Sequence, residues 1–329
     1  MKKWLYFLMF LSFLFSATAF VYFFMKTLTE DVAKSEIRSD KPSYRLVIIP
    51  EEMNNDYWRL VEEGARKAAE ELNISLQYTG PVTANVDDHI KTIQKAVASN
   101  VDGIITQGLI EDDFTPLIDQ VIQKGIPVIT VDTDAPDSRR MSYIGTDNYN
   151  AGYLAGQELA KDTNGQGKIA IITGHFNTAN QVLRVRGFKD AIEKEKDLEI
   201  VAIEESKISL IQAAEMTFKI MNEHSDITAF FGTSALDGVG IASVLNSLDK
   251  NKNIYIMAFD TLPETLQLME EGRINATVIQ HPYDMGYNSV KVMVDLIHGE
   301  KIEELNFTDT GILRKHELIK NLNEVQVID

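Results

Sequence analysis

The 329-residue chain contains no cysteine, which excludes disulfides, thiolate metal sites, a cysteine nucleophile and a lipid-modified cysteine tether. It is also short of positive charge: 32 Lys and Arg stand against 49 Asp and Glu, for a net charge of −17. Phosphate backbones are held by clustered Lys and Arg, so nucleic acid is excluded as a partner. The six histidines, His89, His175, His224, His281, His298 and His316, are scattered without metal-ligand spacing. There is no G-x-G-x-x-G fingerprint, no Walker A loop and no G-x-S-x-G elbow, and no short-period repeat or low-complexity segment. No catalytic group, metal or cofactor is expected.

Two things are present in quantity. The first is an uncharged, Phe- and Leu-rich run, Trp4–Met25, preceded by Lys2 and Lys3. Its 22 residues suffice to cross a hydrocarbon core of ~30 Å, and the two lysines favour an N-terminus held in the cytoplasm. Ala17-Thr18-Ala19 has the form of a cleavage site, but ordinary signal cores run ~7–15 residues and cutting here would leave Phe20–Met25 on the mature end. The expectation is an uncleaved transmembrane signal-anchor over 1–25, a charged stalk over 26–43, and the bulk of the chain on the extracytoplasmic side of a cell membrane.

The second is strand-helix alternation. From Arg45 onward apolar, β-branched runs alternate with segments whose apolar residues recur at three and four, as in Val61, Ala65, Ala68 and Leu72. Short connections between such units mean parallel sheets covered by helices on both faces. The clearest unit is Ile254–Pro282: a strand to Phe259 stops at Asp260, an amphipathic segment carries Leu262, Leu266 and Met269, and a second strand over 276–279 stops at Gln280. Ligands of open α/β sheets bind outside the carboxyl ends of strands, which sets Asp260 and Gln280 toward one cleft. Asp260 as a helix cap is the competing assignment. The same polar stop recurs at Asp132, Asp147 and Ser234. At this length and with 44% hydrophobic residues, two cored lobes are expected.

Together these stretches resemble the type I periplasmic sugar-binding proteins, the ribose-binding-protein-like relatives of the LacI repressor core, over roughly residues 44–322. The resemblance implies two doubly wound parallel-sheet α/β lobes joined by a three-strand hinge. It places 44–147 plus 281–306 in the first lobe and 148–280 plus 307–329 in the second, with crossings near Asp147, Gln280 and Phe307. It implies a sugar or polyol held between the lobes. Asn55 would bond a hydroxyl, and Tyr57 or Trp58 would stack on the apolar face of a sugar ring, at least one of the two being core. Asp132 and Asp260 would be paired carboxylates accepting from hydroxyls. Thr133 stands where many relatives have Arg, Ser234 where they have Asn, and Val182 where they have the direct ligand Arg. Arg184, with Asn180 or Gln181, is therefore the candidate in that region. Gln280 matches a glutamine at the last crossing, and Asp147-Asn148 is read as hinge and cap rather than ligand contact.

Three functions share such a core. A repressor needs a basic helix-turn-helix, which the chain lacks. A glycosidase could use two cleft aspartates as acid and base, yet nothing else here supplies catalytic machinery. The expectation is a monomeric extracytoplasmic binding domain, not an enzyme, that closes on its ligand and addresses either an ABC transporter permease or a sensor histidine kinase.

Overall fold

The computed structural model describes residues 4, 16–22, 26, 43–250 and 253–318. The chain divides into Met1–Ser43 and Tyr44–Asp329. Most of the expected anchor and stalk lies outside the described residues, and no helix among the described residues is long and apolar enough to cross a membrane.

Within Tyr44–Asp329 the strands are β1 (Arg45–Ile49), β2 (Ser75–Tyr78), β3 (Gly103–Thr106), β4 (Val128–Val131), β5 (Ser142–Thr146), β6 (Gln166–Thr173), β7 (Asp197–Glu205), β8 (Ala229–Gly232), β9 (Tyr255–Phe259), β10 (Ala276–Ile279), β11 (Leu305–Thr308) and β12 (Gly311–Arg314). The helices are α1 (Asp56–Glu71), α2 (Val86–Ala98), α3 (Glu111–Gln123), α4 (Asn148–Asp162), α5 (Ala179–Ile192), α6 (Leu210–Glu223), α7 (Asp237–Ser247), α8 (Pro263–Glu270) and α9 (Pro282–Ile297).

These build two sheets of matching order, β11-β5-β4-β3-β1-β2 and β12-β10-β9-β8-β6-β7. All strands of the first pair in parallel, and only β12 runs antiparallel, against β10. The central strands are mostly apolar (RLVII, GIIT, VITV, AFFG), as expected where helices cover both faces. In the first lobe α1 and α9 pack on one face around Trp58, Val61 and Met293, and α2 and α3 on the other around Ile93, Phe114 and Ile118. In the second, α6 and α7 take one face and α4 and α5 the opposite one.

Order 2-1-3-4-5 in each sheet puts a topological switch point between β1 and β3 and between β6 and β8, the place where doubly wound folds bind ligands. The chain passes between lobes three times: after Thr146, after Ile279 and after Thr308. The third passage, expected near Phe307, lies at Asp309–Thr310. Phe307 and Thr308 continue the parallel pairing of β11 with β5, opposite Gly145 and Thr146.

Candidate functional site

The carboxyl ends of both sheets open on one cleft lined by Glu51, Asn55, Tyr57, Trp58, Asp132, Asn180, Gln181, Arg184, Ile208, Ser234, Ala235, Asp260 and Gln280. It holds about 410 Å3 free of protein atoms, counting the part open to solvent. Nine of the ten sequence candidates line it.

Asp132 and Asp260 are set by the same local device in the two lobes. Each follows the last residue of a strand, β4 or β9, and takes a left-handed backbone, φ 63° and 69°. That region is uncommon outside glycine but tolerated by Asp. Asp132 N donates to Ile144 O (3.0 Å) and Asp260 N to Val278 O (2.9 Å). A hydroxyl one residue earlier on the same neighbouring strand holds each aspartate's carbonyl: Tyr143 Oη donates to Asp132 O (2.9 Å) and Thr277 Oγ1 to Asp260 O (2.7 Å). Two chain turns are thus locked from behind, which points two carboxylates into the cleft from opposite lobes. Asp260 does not cap the next helix, whose cap position is Leu262.

The Asp132 carboxylate accepts from Tyr57 Oη (2.7 Å), Thr133 Oγ1 (2.9 Å), Gln107 Nε2 (3.1 Å) and Asn180 Nδ2 (3.3 Å). The last of these crosses between lobes, as does the Ile110–Thr178 β-bridge, so the lobes stand closed on one another. Thr133 is the candidate that does not reach the cleft. In the tight turn where Thr133 N meets Val131 O (2.7 Å), its side chain falls behind Asp132 and orients that carboxylate.

Tyr57 and Trp58 open α1, are both buried, and meet edge to face at 5.6 Å. Both belong to the first lobe's core and both border the cleft. Asn55 spends its side chain as the α1 cap, accepting from Tyr57 N (2.9 Å), while its Nδ2 donates to Glu52 Oε1 (2.8 Å). Gln280 donates to Thr146 Oγ1 (2.7 Å), tying the second lobe crossing to the first. Asp147 caps α4 and Asn148 bridges Tyr143 and Arg184, a hinge arrangement.

Arg184 is buried on α5. Its Nε donates to Asn148 Oδ1 (2.8 Å), its Nη1 to Thr233 O (2.9 Å), and its guanidinium lies 3.9 Å from the Phe259 ring centre. Its Nη2 is buried without a protein partner, and so is Ser234 Oγ. Buried polar atoms are seldom left unpaired, because each costs the full desolvation of the group. Both residues line the cleft, so each has a polar atom there free to bond whatever the cleft takes in.

The cleft is dominated by carboxylates. Burial, then the charges of Asp132 and Glu52, push Glu51 up to about 8. Burial raises Asp260 to about 7, with Arg184 opposing and Asp132 and Asp237 reinforcing. Tyr57 is held well above its ordinary range by burial and by Asp132. Among the described residues no group of three or more His, Asp and Glu could hold a metal ion. An acceptor-rich, partly aromatic cleft with one guanidinium is suited to a neutral ligand carrying many hydroxyls.

Sequence reasoning passed over Glu51 and Gln107. Both obey the rule that found Asp260, since Glu51 follows the β1 strand and Gln107 follows β3 directly.

Residues 46–301 match a family model described as a periplasmic binding protein domain. A solved structure of GanP, a glucose-galactose binding protein from Geobacillus stearothermophilus, is 52% identical with TM-score 0.83, covering 84% of this chain and 98% of GanP. A structure of the XylFII-LytSN complex contains a chain 36% identical with TM-score 0.79, covering 83% and 98%. The ribose import binding protein RbsB of Escherichia coli (strain K12) is 22% identical over 78% of this chain and 86% of its own length.

Proposed function

We propose, from the premise that this chain belongs to the periplasmic binding protein family in its type I sugar-binding branch, that it captures an aldohexose in the interlobe cleft by hinge closure and delivers it to an ABC-type importer. The observation that carries this reading is the matched pair Asp132 and Asp260, offered from opposite lobes beside the unpaired Arg184 Nη2 and Ser234 Oγ. Ionised carboxylates accept strongly from sugar hydroxyls, and only the closed form presents both half-sites, so ligand stabilises closure. GanP's name favours glucose or galactose as the ligand, and the import protein among the relatives favours transport. Those relatives are binding proteins, which supports a role without catalysis.

The domain would work outside the cytoplasm, tethered through Trp4–Met25. A second reading is that the closed domain signals to a sensor histidine kinase; its specific support is that one similar chain is solved as part of a complex, XylFII-LytSN, rather than alone. A thermal-shift series with D-glucose, D-galactose, D-ribose and D-xylose tests the binding step, since ligand at a hundredfold excess over Kd adds about 2.7 kcal/mol to the native state. A melting temperature that no sugar moves would refute it. Sugar-loaded protein that stimulates a reconstituted importer's ATPase supports transport; stimulation only of a kinase's autophosphorylation supports signalling.

A further inference from the structure

We propose that sugar capture is coupled to uptake of a proton at Glu51, a cleft carboxylate that closure brings against the second lobe. The inference rests on the sugar-binding reading above and names a regulation of that same site. Glu51 follows β1 in the first lobe. Its Oε1 stands 4.0 Å from His175 Nε2, and His175 Nδ1 stands 3.7 Å from Glu205 Oε1, both in the second lobe. The contact exists only while the lobes are together.

The groups that face Glu51 are Glu52 beside it, Asp132 across the sheet end and His175 from the other lobe. Those facing His175 are Glu51, Glu205 and Lys207. Arg184, the cation of the cleft, spends Nε and Nη1 on Asn148 and Thr233 and bears on Asp260. Glu51 therefore enters a closed cleft already occupied by carboxylate charge, and among the described residues its charged neighbours other than His175 are carboxylates. Opening the lobes would return it toward water, where a glutamate is ionised at neutral pH.

The sign follows from the direction. In the closed form burial and the two neighbouring carboxylates raise Glu51 from 4.5 to about 8. A raised value in the closed form favours closure below 4.5, and the benefit is lost as pH rises through 8. Burial lowers His175 from 6.5, with Glu205 opposing. Below that value closure must strip a proton from His175, and the two effects offset. Affinity then falls with rising pH chiefly between 6.5 and 8. Whether the proton sits on the Glu51 carboxyl or is shared with the imidazole, the stoichiometry of the pair is the same. Asp260, raised to about 7, adds a dependence of the same sign, so a comparison of variants isolates Glu51.

The test titrates D-galactose and D-glucose calorimetrically into the native protein and Glu51→Gln, at pH 6.5, 7.5 and 8.5, in phosphate and in Tris. Their ionisation enthalpies differ, so the difference in heat counts protons. The expected result is that native protein takes up about one proton more than Glu51→Gln near pH 7 and loses roughly tenfold or more in affinity from pH 6.5 to 8.5, with the variant's dependence much flatter. His175→Asn keeps the uptake and loses the flattening at the acid end. Equal uptake in native protein and Glu51→Gln, with sugar still bound, overturns the proposal. If Glu51→Gln does not fold, zero uptake by native protein at pH 7.5 overturns it as well. Absence of sugar binding to native protein at every pH is a distinct result, which refutes the sugar-binding reading itself.

Discussion

Asp260 shows how a single residue can serve the site against the interest of the fold. Burial raises it to about 7, so its contribution to stability is present below its ordinary 3.8 and is lost as pH rises through 7. Asn accepts the same left-handed backbone and carries no charge to desolvate. Asp260→Asn is therefore expected to melt higher than native protein at pH 8, with the gap narrowing toward pH 5, when melts are run across that range. The same change removes a charge-assisted acceptor for a hydroxyl, worth about 1.5–3 kcal/mol, or tenfold to a hundredfold in Kd. An unchanged melting temperature at pH 8 would show that the carboxylate's burial is relieved in the empty protein. Candidates of this kind were legible because a polar residue stopping an apolar strand is a local pattern, as at Asp132, Ser234 and Gln280. Thr133 and Asn55 were not resolved that way. The turn that hides Thr133 depends on Asp132's φ, and Asn55's capping bond to Tyr57 N competes with any ligand role.

At the scale of elements, the cleft residues ride on helices that cross very closely. A Cβ added at Gly187 on α5 would stand 2.0 Å from Tyr149 O on α4, and one at Gly64 on α1 would stand 1.9 Å from Tyr283 O on α9. Backbone cannot yield as a flexible side chain can, so the helices would part and carry Asn180 and Arg184 with them. Gly187→Ala is expected to cost about 1–3 kcal/mol or more in urea denaturation. Gly311→Ala on β12, with nothing within 4 Å of the new atom, is expected to be near neutral; equal costs would contradict the account. Elements with strong periodicity were foreseen closely: the strand that stops at Phe259, the strand Ala276–Ile279 and the helix carrying Val61, Ala65 and Ala68 lie where the apolar pattern put them. Strands β11 and β12 had no such signal. They are short, half-exposed, and defined by partners far away in sequence, Tyr143–Thr146 and Ala276–Ile279, which no local window contains.

For the molecule as a whole, the account requires lobes that come together on a ligand. The absence of cysteine makes this directly measurable. Ile110 and Thr178 face one another across the lobes as an isolated antiparallel bridge, a geometry whose Cα separation of about 4.5–5.5 Å falls within the disulfide range. In the double variant Ile110→Cys, Thr178→Cys, sugar is expected to accelerate disulfide formation, and the oxidised protein to release bound sugar far more slowly than the reduced one. Cross-linking at the same rate with and without sugar would mean that closure does not depend on the ligand.

The most direct test of the central claim, that one sugar is held between Asp132 and Asp260, is a calorimetric titration of D-galactose and D-glucose into native protein and Asp132→Asn side by side. One molecule bound per chain is expected, with a loss of about 1.5–3 kcal/mol of binding in the variant and a lowered melting temperature of the empty but still folded protein, because one amide oxygen cannot accept from all four donors that hold Asp132. Native affinity retained in Asp132→Asn, or no binding of either sugar by native protein, would contradict it.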